Sequence, residues 1–219
     1  MTNLTQQLAA TLGRTRPGSA LLAAMRLLRA DSHLNESGWF RSALSGLAED
    51  REGRALPWYT YGAIAFLAGR VTRAHRVFEY GSGHSTLWWA DRAGQVVSCE
   101  HDTLWYQRMK PRVPANVEYQ HRPLGRGGYA AAITDAGQVF DIVVIDGRER
   151  VACVPHAMAA LDSTGVIVWD NSDRERYAEG YAELTGHGFK RLDFWGMGPV
   201  NTDGWCTSVF YRDGNALGI

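Results

Sequence analysis

The stretch Glu79-Tyr80-Gly81-Ser82-Gly83-His84-Ser85-Thr86 decides how this chain is read. It continues the short β-rich run that begins at Arg76, and two glycines one residue apart come directly after that run. Glycine has no Cβ to clash, so such a pair lets something approach the backbone closely. A nucleotide phosphate, the amino-acid end of another cofactor, or a plain tight turn would each fit. The dinucleotide fingerprint G-x-G-x-x-G is met at Gly81 and Gly83 but not at Thr86, where the third glycine would stand. Glu79, just before the glycines, would repel a pyrophosphate but can help hold an ammonium. The next β-rich run ends in Glu100, about 20 residues on, where an acid can accept both hydroxyls of a ribose. The pattern selects a nucleoside carrying a positive group and no phosphates.

Working outward, strand and helix alternate from residue 76 to about 195. Expected strands are Arg76–Tyr80, Gln95–Glu100, Asn116–Gln120, Phe140–Asp146, Gly165–Asp170, Phe189–Trp195 and Trp205–Arg212. Phe140–Asp146 is nearly all apolar, as a parallel strand buried on both faces must be. Helices are expected over Ser85–Arg92, Asp102–Lys110, Val151–Leu161 and Arg174–Thr185. This order predicts an α/β fold: a Rossmann-like, seven-stranded, mostly parallel sheet with right-handed crossovers. The last two strands are joined by a loop too short for a helix and should pair as an antiparallel hairpin. Residues 1–70 read as helical pieces (Leu4–Leu12, Ala20–Arg29, Trp39–Leu47, Tyr61–Leu67) that cap a core of residues 71–219 within one domain. Ligands in such sheets bind beyond the carboxyl ends of the strands. Glu79, Glu100, Asp146 and Asp170 stand at those ends, and gathered carboxylates imply a polar crevice.

Taken in order, these features resemble the class I S-adenosylmethionine-dependent methyltransferases. The matching residues are Glu79-Tyr-Gly-Ser-Gly-His-Ser85, Glu100 as the ribose acid, Asp141-Ile-Val-Val-Ile-Asp146, and Gly165-Val-Ile-Val-Trp-Asp170. The likeness covers residues 76 to 212 and departs at Ser85, where many members carry a third glycine. It implies S-adenosyl-L-methionine as cofactor, bound by Glu79, Gly81, Ser82, Gly83, Ser85, Glu100, His101 and Asp146. Gly81 and Gly83 would admit the methionine moiety, Glu79 would orient its tail, and His101 would lie against the adenine. A surface role for His101 is the plainer alternative.

Asp146, Asp170 and Asn171 form a hard oxygen set suited to Mg²⁺ with waters completing the shell. The arrangement is similar to the catechol-type, divalent-metal-dependent O-methyltransferases, in which the metal lowers the pKa of the acceptor's hydroxyl. Those enzymes carry a lysine as base three residues after the first aspartate; here that position is Glu149. Asp146, Glu149 and Asp170 are therefore the candidate catalytic groups, with His84 a further possible base. The competing reading makes Asp170-Asn-Ser-Asp173 a helix N-cap cluster.

For the acceptor, Trp58, Tyr61, Trp195 and Trp205 supply aromatic walls and Arg148 a cation for a carboxylate or phosphate. Plain packing of the cap on the sheet is the alternative for each aromatic. The expected partner is a small-molecule methyl acceptor, most simply an oxygen nucleophile. A nicotinamide-dependent oxidoreductase, a nucleic-acid methyltransferase and a catalytically silent binding module are the rival readings; zero net charge and the absence of an Asn/Asp-Pro-Pro-aromatic motif after the fourth strand, which ends Asp146-Gly147, disfavour the second.

Composition sets the outer limits. With 219 residues, 45% hydrophobic and 21% charged, the chain can bury a full single-domain core. Lys+Arg and Asp+Glu both number 23, so no global charge draws it to nucleic acid or an anionic membrane. No apolar run approaches transmembrane length. Three scattered cysteines, with no C-x-x-C pair, suit a reducing, cytoplasmic setting without disulfides or structural zinc. The first thirty residues hold arginines and no acid, faintly like an organellar targeting peptide; an ordinary helical segment is the simpler account. The N-terminal helices are as able to pair with a second copy as to cap the site, so a homo-oligomer is an open expectation.

Overall fold

The computed structural model describes residues 15–126 and 128–219; the expected helix Leu4–Leu12 lies outside them. Seven strands form one sheet: β1 (Arg76–Tyr80), β2 (Gln95–Glu100), β3 (Val117–His121), β4 (Phe140–Ile145), β5 (Leu161–Asp170), β6 (Lys190–Gly196) and β7 (Trp205–Tyr211), in the spatial order β3-β2-β1-β4-β5-β7-β6. The five strands from β3 to β5 pair parallel, while β7 runs antiparallel between β5 and β6. The expected hairpin is present. The dinucleotide-binding order is 3-2-1-4-5-6, and β7 inserted before β6 sets this sheet apart from it.

The two faces explain why β4 is apolar from Ile142 to Ile145. Val143 and Ile145 join Phe78, Tyr80, Ile167 and Trp169 in one core cluster. Ile142 and Val144 join Val77, Val166, Val168 and Val209 in the other. Side chains alternate faces along a strand, so the stretch covered on both sides is apolar throughout, while Asp141 at the strand's start pairs with Arg76. Among the described residues the N-terminal helices are α1 (Arg16–Leu27), α2 (His33–Glu36), α3 (Trp39–Ser45) and α4 (Tyr61–Ala68); α5 (His84–Arg92) follows β1. Ala63, Ile64 and Leu67 of α4 and Trp88 and Trp89 of α5 cover the second face. The helices α6 (Thr103–Met109), α7 (Ala132–Asp135), α8 (Arg150–Ala160) and α9 (Ala178–Gly186) complete the α/β alternation. Val154 and Ala157 of α8 and Leu184 of α9 cover the first face. Asp102 caps α6, its Oδ1 accepting the Trp105 N–H at 2.8 Å.

The cap is sewn to the hairpin just after Pro57. The Thr60 N–H donates to Thr207 Oγ1 (3.0 Å), Thr60 Oγ1 donates to the Phe194 carbonyl (3.1 Å), and the Tyr61 N–H donates to the Met197 carbonyl (2.9 Å). These bonds bring the cap and the β6–β7 loop over the carboxyl ends of β4 and β5. Among the described residues no helix is long and apolar enough to cross a membrane.

Candidate active site

The turn after β1 is built around Gly81 and Thr86. Gly81 sits at φ +90°, a left-handed conformation glycine adopts without strain. A Cβ there would lie 2.9 Å from the Gly147 Cα, so glycine is needed for the β1 and β4 turns to touch. Gly83 differs: a Cβ would meet only the Trp105 ring, at 3.7 Å. Its N–H donates to Thr86 Oγ1 (3.1 Å), and that hydroxyl donates to Glu79 Oε2 (2.5 Å). Ser98 donates to the same oxygen at 2.7 Å, while Glu79 Oε1 has no partner. Thr86, which breaks the dinucleotide fingerprint, is therefore the link between the glycine turn and a fully buried acid. Burial raises the Glu79 carboxyl to about 7, opposed by the neighbouring hydroxyls, among them the hydrogen-bonded Thr86 and Ser98.

Glu100 closes the other side of the turn. Its Oε1 accepts the backbone N–H groups of His101 (2.8 Å) and Asp102 (2.9 Å). Its Oε2 accepts the Ser82 N–H (3.2 Å) and hydroxyl (2.7 Å). Tyr119 OH lies 2.7 Å from that serine oxygen, and Trp105 Nε1 donates to the Ser82 carbonyl at 2.8 Å. His101 packs edge-on to Tyr129 at 5.9 Å between ring centroids. His84 is spoken for: Nδ1 lies 2.7 Å from the Ala48 carbonyl and Nε2 3.1 Å from the Arg112 guanidinium. A carbonyl only accepts and a guanidinium only donates, so no lone pair of His84 is left to take a proton. A cleft of about 550 Å³ opens above this turn, lined by Ala48, Leu56, Trp58, Ser82 to Ser85, Trp105 and Asp146.

A second cleft, of about 660 Å³, lies over β4 and β5 and is lined by Trp58, Asp146, Asp170, Asn171, Arg174, Asn201 and Trp205. Trp58 and Asp146 belong to both clefts. Asp170 is buried, its Oδ1 accepting from Thr207 Oγ1 (2.6 Å) and Trp205 Nε1 (2.9 Å). Between the two aspartates sits the buried guanidinium of Arg150. It donates to Asp146 Oδ1 (2.9 Å), to the carbonyls of Asp146 and Gly147 (both 3.0 Å), and to the Asp170 carbonyl. Burial raises the Asp146 carboxyl to about 6 with Arg150 opposing. Burial, and then the charge of Asp146, raises Asp170 to about 8.

Several expected site residues gather here and others do not. Trp58, Trp205, Asp146, Asp170 and Asn171 line one cleft together. Glu149 instead sits exposed at φ +49°, its Oε1 accepting the Gly125 N–H at 3.1 Å, and Arg148 lines a separate surface hollow with it. Trp195 is 68% exposed on β6, and Tyr61 packs against the core cluster and His33; neither lines the two clefts. The expected N-cap at Asp170–Asp173 is not formed. Asp170 bonds β7 side chains, Asp173 Oδ1 accepts the Cys206 N–H (3.1 Å), and the 3₁₀ turn after Arg174 has no side-chain cap. Sequence reasoning noted Thr86 only as the break in the fingerprint and gave no role to Trp105, Arg174, Asn201 or Thr207. Of these four, Trp105 carried a local signal, three residues after the helix-capping Asp102. No cluster of three or more His, Cys, Asp or Glu able to hold a metal occurs among the described residues.

No family model and no curated protein matches the sequence. Solved structures do match in fold. A structure from Klebsiella pneumoniae, provisionally described as an O-methyltransferase, aligns over 96% of this chain and 100% of its own, with 20% identity and a TM-score of 0.54. The precorrin-6Y C5,15-methyltransferase of Geobacter metallireducens aligns over 78% of this chain and 96% of its own (15% identity, TM-score 0.56). A methyltransferase-like protein from Silicibacter pomeroyi aligns over 73% and 89% (21% identity, TM-score 0.53).

Proposed function

We propose that this chain, which has the fold of the class I S-adenosylmethionine-dependent methyltransferases, transfers a methyl group to a small-molecule oxygen nucleophile. The observation that carries the proposal is that two clefts meet at Asp146 and Trp58. One is bounded by the glycine turn beside Glu100, the other by a pair of acids. When bound, S-adenosyl-L-methionine supplies a sulfonium methyl group whose sulfur leaves as a neutral thioether. The residues of the first cleft suit it. Glu100 accepts the ribose hydroxyls in place of the Ser82 hydroxyl that now occupies Oε2. Glu79 acts from beneath, holding Gly83 through Thr86, and leaves its unpartnered Oε1 as an acceptor for an ammonium group.

In the second cleft the acceptor hydroxyl attacks the methyl carbon in line, and its proton passes to a carboxylate. Asp146, at the junction, takes that proton; a carboxyl raised to about 6 accepts one more readily than an ordinary aspartate. Asp170, fixed by Trp205 and Thr207, orients the hydroxyl. Alignment of donor and acceptor across the shared Trp58 wall supplies much of the acceleration.

A divalent metal held by Asp146, Asp170 and Asn171 is the other way to balance this acid pair, and the residues do not suit it. One oxygen of each carboxylate is committed, and the Arg150 guanidinium already stands between the two strand ends. A cation there would meet a fixed positive charge. Arg150 therefore takes the charge-balancing part, and no step is assigned to a metal. The inserted antiparallel β7 and Thr86 argue against the nicotinamide reading. The three free, buried cysteines suit a reducing compartment.

The test is a thermal melt with S-adenosylhomocysteine. At a hundredfold excess over Kd, a ligand adds about 2.7 kcal/mol, which raises the midpoint by roughly 5–10 °C for a chain of this size. Glu100→Ala should abolish the shift. No shift in the wild-type chain at saturating ligand refutes the proposal, and a shift with NADH instead assigns the site to hydride transfer.

A further inference from the structure

The second cleft has a cation without a partner. Arg174 reaches it on a short turn in which its own N–H donates to the Asn171 carbonyl (3.3 Å) and Asn171 takes φ +50°. Its guanidinium makes no hydrogen bond or ion pair with any described residue, although its charge is felt at Asp146. Of the two acids beside it in sequence, Asp173 is turned away to accept from the Cys206 N–H, and Glu175 makes no ion pair with it. Asp146 has its own counter-charge in Arg150, and Asp170 is held by neutral donors. Neither acid of the cleft thus makes a contact with Arg174. An exposed guanidinium in a concave site presents a planar fork that matches a carboxylate with two parallel hydrogen bonds. Among the described residues no lysine lines the cleft to add the further charged donors that a phosphate would take up.

The walls narrow the rest of the molecule. Trp58 is 43% exposed, high for an indole in a concave site, and Trp205 faces the same space. Indole faces favour stacked or edge-on aromatic partners. We propose that the acceptor is a small aromatic hydroxy acid, its carboxylate bound by Arg174, its ring between Trp58 and Trp205, and its hydroxyl directed to Asp146. This deepens the methyl-transfer reading and rests on it for what is done to the hydroxyl; the binding claim stands apart from it.

The experiment is a fluorescence titration, with Trp58 and Trp205 as reporters, using 4-hydroxybenzoate and its neutral analogue 4-hydroxybenzamide as probes. Each is titrated with and without S-adenosylhomocysteine. The expected result is that the carboxylate binds at least tenfold tighter than the amide. Arg174→Gln should erase that preference while leaving the melting midpoint and its shift with S-adenosylhomocysteine unchanged. Arg174→Lys, which keeps the charge but loses the fork, should retain only part of it, and Trp58→Ala should weaken both probes alike. Equal binding of the two probes, a preference that survives Arg174→Gln, or no binding of either at millimolar concentration overturns the proposal. A carboxylate preference without any S-adenosylhomocysteine shift would instead refute methyl transfer and leave the anion site standing.

Discussion

Replacing Thr207 with valine tests how Asp170 is held. Thr207 is fully buried, and one hydroxyl serves two groups: it donates to Asp170 Oδ1 at 2.6 Å and accepts the Thr60 N–H at 3.0 Å. Valine keeps the shape and removes the hydroxyl. The Thr60 N–H is then orphaned in the interior, which costs about 1–3 kcal/mol. Asp170 keeps its bond from Trp205 but loses the shorter of its two donors. The lost hydrogen bond is worth ~1 kcal/mol. Together the change should destabilise the fold by roughly 2–4 kcal/mol and lower the melting midpoint by roughly 5–15 °C. Thr207→Ser restores the hydroxyl and should recover most of the loss. Urea unfolding followed by far-ultraviolet circular dichroism gives the free energies by linear extrapolation. A valine variant within about 0.5 kcal/mol of wild type, or a serine variant as unstable as the valine one, would refute the two-sided role of this hydroxyl.

Three further outcomes follow from the same contacts. Glu79 has its folded value raised to about 7 from 4.5. The native state therefore binds more protons than the unfolded chain between those values, and the stability this group contributes is greatest below pH 4.5 and lost as pH rises through 7. The limit is about 3 kcal/mol; the gap in unfolding free energy between wild type and Glu79→Gln should narrow from pH 5 to pH 8, and a constant gap would contradict the assignment. Gly81→Ala forces a Cβ onto the Gly147 backbone at positive φ; it should cost about 1–3 kcal/mol or more and remove the S-adenosylhomocysteine shift, and a normal shift would show that the turn is not needed as built. Arg150→Met leaves Asp146 without its buried partner, a loss of about 3–5 kcal/mol. If Arg150 is the counter-charge, Mg²⁺ should raise the melting midpoint of that variant and not of the wild type.

The sheet was legible because its cause is local and repeated. Seven β-rich runs, each bounded by turn residues, recur in order, and β4 betrays its two covered faces by having no polar position between Ile142 and Ile145. Strand ends were legible too, since Glu79, Glu100, Asp146 and Asp170 stop apolar runs. What a side chain does once it arrives was not. Glu149 follows Asp146 closely in sequence, yet a left-handed residue turns it away to Gly125. Arg150, one residue on, enters the interior instead. Asp170-Asn-Ser-Asp173 carries the composition of a helix cap, but antiparallel β7 offers stronger partners in Thr207 and Cys206. That strand is more than thirty residues away in sequence, and no local pattern reports a contact set by tertiary pairing. Arg174 was invisible for the same reason: its importance lies in a missing partner, and a sequence does not show absences.

The stitching of the cap to the hairpin has a mechanical consequence. Thr60 and Tyr61 are bonded to β6, to β7 and to the loop between them, and Trp39 Nε1 donates to the Asn201 carbonyl of that loop at 2.8 Å. Cap and hairpin loop are thus one lever rather than two jaws. Neither lifts alone without breaking the other's hydrogen bonds, so a force on the loop reaches the N-terminal helices directly, beside the Trp58 ring that borders both clefts.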